Sequence, residues 1–268
     1  MKKILFIGVN YNSYDALQLF VDSVNRAALK AVGIMQVDIM IADNSAELQD
    51  IDNTSFQNIH VRQYVTAENL GYLGGAKYIL KQLTQTVLEQ YDYMAISNVD
   101  ITIDESFFTN LAKFDTNNIG WIAPSILSQK EGKDRNPKIL NRPSKRHMQI
   151  AKMIYIHPLV YKLYVRLFYR NRPAPKITTD QIYAGHGSFM LFTQPKVIQE
   201  FIHNFKPFLF CEEHFFAEEL RKRSLSVEYH PELIIHDKDH ISTSAMPSRF
   251  YCRYNREAIQ FIINTYFS

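Results

Sequence analysis

Two short stretches carry residues that can do chemistry. Glu212-Glu213 follows the apolar run Phe208-Leu209-Phe210-Cys211. Two acids beside such a run can include a general base with a raised pKa. Acids at a helix N-terminus are also favoured by the helix dipole, with no catalysis involved. Asn98-Val99-Asp100 ends a second apolar run. Its carboxylate, with a carboxamide two residues earlier on the same side, suits a hard divalent cation (Mn2+ or Mg2+) that would neutralise a diphosphate leaving group. A turn after a strand is often rich in Asn and Asp for its own reasons. Further on, His236-Asp237-Lys238-Asp239-His240 offers two imidazoles, either of which could complete a shell begun by Asp100 or simply lie on the surface.

The segment Glu68-Asn69-Leu70-Gly71-Tyr72-Leu73-Gly74-Gly75-Ala76-Lys77 could bring backbone N–H groups to a diphosphate at a helix start. Its spacing fits neither the dinucleotide fingerprint nor the P-loop, and ordinary loop-to-helix turns use glycine too. His186, between Gly185 and Gly187, is either structural or lines an acceptor cleft.

These residues need elements to position them. Residues 3–9 are an apolar run with the character of a strand buried on both faces. The run is too short, and ends too polar, for a signal peptide. Leu17, Phe20, Val21, Val24 and Ala28 make a helical face over 14–32. Strands are expected at 37–42, 59–65 and 92–97, with a helix from the glycines to about residue 90 and a short one capped by Asp104. Later, a strand runs from Ile182 through Thr193, a helix opens at Pro195, and another spans Glu212 to Arg223. Short strands follow near Val227–Tyr229 and Leu233–His236. Glu218 and Glu219, beside Arg221, Lys222 and Arg223, read as a solvated face. Strand and helix in alternation imply an α/β, mostly parallel, doubly wound sheet. In such sheets ligands bind at the carboxyl ends of the strands. Asn10-Tyr11-Asn12, Asp43-Asn44 and Asn98-Val99-Asp100 each stand directly after an apolar strand.

The chain has 268 residues, 46% hydrophobic and 21% charged, which suits a folded domain with a sizeable core. Its two cysteines, Cys211 and Cys252, argue against a disulfide framework and fit a reducing, cytoplasmic compartment. No apolar stretch is long enough to span a bilayer. The net charge of +3 is unevenly spread: residues 130–176 alone carry +11. Three parts follow from this, 1–127, a basic helical insertion at 128–178, and 179–268. Within 145–172, Lys145, Arg146 and Lys152 mix with Met148, Ile150, Tyr155, Leu159, Leu163 and Phe168, a composition suited to an anionic membrane surface. Pro158 should break the segment into two helices. A flap packed on its own domain with a solvated basic face is the other reading.

Taken in order, these pieces resemble the inverting family 2 glycosyltransferases of GT-A fold, particularly the rhamnosyltransferase-like enzymes of bacterial surface-polysaccharide synthesis. The residues that carry the resemblance are Val9-Asn10-Tyr11-Asn12, Ile41-Ala42-Asp43-Asn44-Ser45, Asn69-Leu70-Gly71-Tyr72-Leu73-Gly74-Gly75, Ser97-Asn98-Val99-Asp100, Gly185-His186-Gly187-Ser188, Phe210-Cys211-Glu212-Glu213, Tyr229-His230-Pro231-Glu232 with His236, and Arg253-Tyr254-Asn255-Arg256 as a helix start. The resemblance implies a nucleotide-diphosphate sugar donor and a glycan or lipid-linked acceptor. It implies that Asp43 meets the base, with Asn10, Asn12, Asn44, Asn69, Gly71, Gly75 and Asn98 around the nucleotide. It places metal on Asp100 and His236, the acceptor near His186 and Gly187, and the catalytic base at Glu213 or Glu212. Lys77, Asn98, Glu213 and Glu219 depart from the usual residues of that family. A sugar nucleotidyltransferase would need a Gly- and Arg/Lys-rich loop where Asn10-Tyr11-Asn12-Ser13 stands. Nucleic acid is a poor partner for a chain whose remainder is acidic. A catalytically inactive nucleotide- or glycan-binding relative is a further alternative.

Overall fold

The computed structural model describes residues 1–52, 56, 58–169, 180–238 and 246–267. The order is β1 (Lys2–Asn10), α1 (Tyr14–Lys30), β2 (Met35–Asp43), β3 (Ile59–Val65), α2 (Tyr72–Lys81), α3 (Gln85–Leu88), β4 (Tyr93–Asn98), β5 (Ile101–Ile103), α4 (Phe107–Leu111) and β6 (Ile119–Ser128). Then come α5 (Lys145–Ile154), α6 (Pro158–Tyr164) running into a π-helical turn (Val165–Tyr169), β7 (Gln181–Ile182), β8 (Phe189–Phe192), α7 (Pro195–Ile202), α8 (Glu212–Lys222), β9 (Ser226–Asp237) and α9 (Ser248–Tyr266).

One mixed sheet runs β3-β2-β1-β4-β8-β6-β9-β5, with β7 added against β9. The β3-β2-β1-β4 half is parallel, as is β6 with β9; β8 enters antiparallel between β4 and β6, and β5 and β7 pair antiparallel with β9. Helices cover both faces, so the central strands are apolar on both sides: Ile4 through Ile7 of β1 are all fully buried. One face packs α1 and α4 through Leu17, Phe20, Val24 and Phe108; the other packs α2, α7, α8 and α9 through Ile79, Ile198, Phe215 and Ile262. This is the α/β arrangement expected, with more antiparallel pairing on the β8 side than a simple doubly wound sheet has.

Register delivers the polar motifs to one edge. Asn10 pairs with Asp43, and Val9 with Asn98. The chain before β8 arrives from the opposite direction, so the Asn98 N–H donates to the Ser188 carbonyl at 2.9 Å.

Four local expectations need correction. The helix after the glycines is two, α2 and α3, because Thr84 caps a new start with its side chain on the Val87 N–H. The strand expected from Ile182 through Thr193 breaks in the middle. Gly185 lies so close to Trp121 that an added Cβ would sit 2.9 Å from its ring, and Asn136 Oδ1 takes the His186 N–H at 2.8 Å. The two short strands near the end are one, β9, with a register shift against β6 after His230, where Pro231 lacks an N–H for the ladder. Arg253-Tyr254-Asn255-Arg256 lies inside α9, not at its start.

Glu218 and Glu219 are not a solvated face. Glu218 is fully buried and accepts from Arg142 Nε (2.7 Å), Arg221 Nη2 (2.8 Å) and Tyr183 Oη (3.0 Å). Burial alone would raise its pKa, but these hydrogen bonds outweigh it and hold the carboxyl below the ordinary range. Glu219 is likewise held by Lys222, Tyr266 and Arg223. Arg142 reaches back from the loop before α5, so this carboxylate cluster ties the insertion to α8.

Between β6 and β7 the insertion forms a helical pair split at Pro158, as expected, with its last part, 170–178, outside the described residues. Ser144 caps α5 by accepting from the His147 N–H. Only one edge of the pair packs inward: Met148 is buried, Lys152 Nζ donates to Gln260 Oε1 at 2.7 Å, and Tyr155 stacks on Tyr161 beside Tyr251 of α9. No side chain of α6 is buried.

Candidate active site

The site lies where β1, β2, β4 and the chain before β8 end together. On the β1–β2 side, Asn10, Asp43 and Ser45 form one buried network. Asn10 Nδ2 reaches Asp43 Oδ1 at 3.2 Å and Ser45 Oγ at 3.3 Å, and its Oδ1 accepts from the Ser13 N–H. Asn12, in the left-handed region at φ 52, donates its N–H to Ser45 Oγ at 2.8 Å. Asp43 also accepts from the Ser45 N–H (3.1 Å), Tyr14 Oη (2.7 Å) and Gln63 Nε2 (2.6 Å). Four donors occupy its two oxygens. A base would therefore meet Asp43 by replacing one of these donors.

Asn44 Nδ2 carries the network to the glycine loop by donating to the Gly71 carbonyl at 3.1 Å, and Asn69 Oδ1 accepts from the Gly71 N–H at 3.0 Å. Gly71 needs to be glycine: its φ is +74, and a Cβ there would lie 2.2 Å from the Phe208 carbonyl oxygen. Gly75 faces the sheet instead of the cleft. A Cβ there would press on Val9 at 3.0 Å and Ala42 at 3.1 Å, so the contact that requires its small size is helix-to-strand packing.

Tyr72, the residue after Gly71, joins this side to the carboxylates. Its hydroxyl is buried and has no hydrogen-bond partner among the described residues. Burial raises its pKa strongly, and the nearby charges of Glu212, Glu213 and Asp100 raise it further. One phenol thus feels the charge of three carboxylates from two parts of the chain, Glu212-Glu213 and Asp100. The resemblance quoted Tyr72 without a role; an aromatic with a polar tip inside a glycine loop was the signal available.

The two acids differ. Glu212 is 6% exposed and its Oε1 accepts from the Phe210 N–H at 2.9 Å. Burial, then the charge of Glu213, pushes its pKa up to about 8. Glu213 is half-buried, and its Oε1 accepts from the Gly187 N–H at 3.3 Å. The turn before them is strained: Phe210 and Cys211 both hold positive φ, 73 and 64, without being glycine. Each such residue costs on the order of 1–3 kcal/mol, a kind of strain that clusters at functional sites.

His186 sits beside Gly187, buried, with its Nδ1 2.9 Å from Ser188 Oγ. Asn136, which holds the His186 N–H, also donates to the Pro124 carbonyl at 2.7 Å, so the start of the insertion sets this loop.

Asp100 is buried at the end of β4, 4% exposed. Its backbone carbonyl accepts from Lys238 at 3.1 Å. His236 pairs across the strands with Thr102. His240 lies outside the described residues. Among the described residues, no three His, Cys, Asp or Glu side chains converge as a metal cage. A single buried carboxylate does fit a divalent ion that takes the rest of its shell from diphosphate oxygens and water, as Mg2+ and similar ions do.

The fold is that of GT-A-like glycosyltransferases. Solved structures with this fold include Staphylococcus aureus TarS and GalNAc-T7, both glycosyltransferases. With one structure of TarS the TM-score is 0.53 at 13% identity, over 98% of this chain and 39% of that one. With TarS 1–349 in complex with UDP-GlcNAc it is 0.51 at 11% identity, over 99% and 67%. With GalNAc-T7 bound to UDP, GalNAc and Mn2+ it is 0.59 at 10% identity, over 99% and 49%. This chain thus spans less than half of that TarS chain and of the GalNAc-T7 chain. No protein-family model matches the sequence, and no curated protein is similar to it.

Proposed function

We propose that this chain is an inverting glycosyltransferase that moves a sugar from a nucleotide-diphosphate donor to a hydroxyl of a glycan or lipid-linked glycan. The observation that supports this reading is Glu213, held by the Gly187 N–H and acting, with Asp100, on Tyr72 of the glycine loop that the Asn10–Asp43–Asn44 network reaches at Gly71. The chain has the fold of two proteins seen with uridine nucleotides. In the proposed reaction Glu213 takes the proton of the acceptor hydroxyl, whose oxygen bonds to the anomeric carbon as the bond to the diphosphate breaks. Glu212, kept protonated by burial at neutral pH, leaves the base role to its neighbour. A divalent cation at Asp100, Mn2+ or Mg2+, would supply charge neutralisation for the departing diphosphate. The Asn10–Asp43–Asn44 network and the Gly71 loop frame the nucleoside and its phosphates.

The acceptor side includes His186 and Gly187. We place the chain in bacterial surface-polysaccharide synthesis, working at an anionic membrane surface through the insertion. The structure leaves Ile150, Met153, Ile156, Leu159, Val160, Leu163, Leu167 and Phe168 exposed, Leu159 by 68%, alongside Lys145, Arg146 and Lys162. Basic side chains around exposed apolar ones match an anionic leaflet. No described helix is long and apolar enough to cross a membrane.

A thermal-shift series with UDP, dTDP, GDP and their sugars, each with and without Mn2+, tests the donor reading. A metal-dependent rise with one nucleotide is expected, and proton NMR of the product from the matching α-linked donor should show a β-linkage. No shift with any nucleotide would overturn the transferase reading.

A further inference from the structure

A second site opens on the outer side of α2, away from the carboxylate cleft. Residues Leu73, Ala76, Ile79 and Leu80 of α2 are buried toward the sheet. The opposite stripe, Gly74, Lys77, Tyr78 and Lys81, follows i, i+3, i+4, i+7 spacing and faces the turn after α7. Between them is a groove of about 490 Å³.

The charges in this groove are all of one sign. Lys77 and Lys206 point their ammonium groups at backbone carbonyls of its wall: Lys77 Nζ donates to Phe205 O at 3.0 Å, and Lys206 Nζ to His203 O at 3.3 Å. Lys81 and His203 complete the basic lining. Among the described residues, none of these lysines forms an ion pair. Burial and the neighbouring charges of Lys206 and Lys81 both disfavour the charged form of Lys77. Three ammonium groups gathered without a carboxylate repel one another, and a multivalent anion removes that cost. Lysine binds phosphate as a point charge, and a groove this size, walled by Leu70, Tyr78 and Phe205, also has room for the body of a phosphoester.

We infer that the groove formed by Lys77, Lys81, Lys206 and His203, whose lining includes none of Glu212, Glu213 and Asp100, binds a phosphate-bearing ligand. The phosphate belongs either to a soluble phosphoester or to a lipid headgroup. This inference is independent of the transferase reading.

Glycerol phosphate is the probe, compared with sodium chloride at equal ionic strength. The full chain should gain about 2–4 °C in Tm with saturation, and Lys81→Gln/Lys206→Gln should lose that gain. Both residues are exposed, so the variant should fold; Lys77→Gln on the same background probes the half-buried member. If glycerol phosphate has no effect but binding to phosphatidylglycerol vesicles weakens several-fold in the double variant, the groove stands and its ligand is a headgroup. If the variants match the parent with both probes, the site does not exist.

Discussion

The Gly187 N–H donates to Glu213 Oε1 at 3.3 Å, and the glycine leaves just enough room for that carboxylate. A Cβ at 187 would sit 3.1 Å from the same oxygen and 3.2 Å from Cδ. Gly187→Ala should therefore push the proposed base off its position by a few tenths of an ångström. Misplacement of that order should lower kcat/KM by about 10-fold or more with little change in Tm. Glu213→Gln keeps the size and the accepting oxygen but cannot take a proton, and should cost ~100- to 10,000-fold in kcat. Steady-state kinetics with the donor found by thermal shift checks both. Near-normal turnover by folded Glu213→Gln would remove the residue from the chemistry.

Glu212 makes stability depend on pH in an unusual direction for a carboxylate. Its pKa in the folded chain is raised to about 8, above the value it has when unfolded. The native state then holds a proton that the unfolded state has released, so stability falls as pH rises between those two values. Tm should drop by about 3–8 °C from pH 5 to pH 8 on account of this group. Glu212→Gln retains the oxygen that accepts from the Phe210 N–H and has no proton to lose. Its Tm should exceed that of the parent at pH 8 and match it near pH 5. Calorimetry on both proteins across that range decides the matter; parallel curves would mean that Glu212 is ionised in the fold.

Much of this arrangement was legible in the chain because strand-end motifs are short and local. Asn10, Asp43 and Asn98 follow apolar runs, and the register of three parallel strands brings them to one edge. What the sequence hid depends on partners far along the chain. Glu218 reads as solvated beside Arg221, yet Arg142 and Tyr183, 76 and 35 residues away, bury it. Gly75 reads as part of a phosphate loop, but its neighbours are Val9 and Ala42. The loop between β7 and β8 leaves the sheet because of Trp121 and Asn136, which no periodicity in 182–193 reveals. His236 pairs opposite Thr102 of β5, a neighbour 134 residues away that its own motif does not show.

Tyr72 stores a cost that substrate should relieve. A buried hydroxyl without a partner costs about 1–3 kcal/mol. Tyr72→Phe removes the hydroxyl and keeps the ring, so the ligand-free chain should gain stability, with Tm up by ~2–4 °C. If the hydroxyl meets donor or acceptor when the cleft is filled, the same variant should lose about 10-fold in kcat/KM. The two signs together separate a ligand-facing hydroxyl from one that is merely buried. Higher Tm with unchanged kinetics would place Tyr72 outside the reaction.

The insertion offers a test that needs no substrate. Its exposed apolar residues lie on α5, on α6 and on the π-helical turn, whereas its inward contacts run through Met148, Lys152 and the tyrosines. Leu159→Ser/Leu163→Ser changes side chains that are 68% and 57% exposed, so the fold should lose little. Membrane partition should suffer: burying one leucine is worth roughly 1.5–3 kcal/mol, so losing two should weaken binding to anionic vesicles by 10-fold or more. Lys145→Gln/Arg146→Gln should weaken binding to vesicles rich in phosphatidylglycerol and leave the weak binding to neutral vesicles unchanged, because about 1 kcal/mol per basic residue comes from the surface potential. Co-sedimentation at low and high salt separates the two contributions, since only the electrostatic one is screened. If the parent chain fails to sediment with either vesicle, the exposed leucines meet some surface other than a bilayer, and the acceptor need not be lipid-linked.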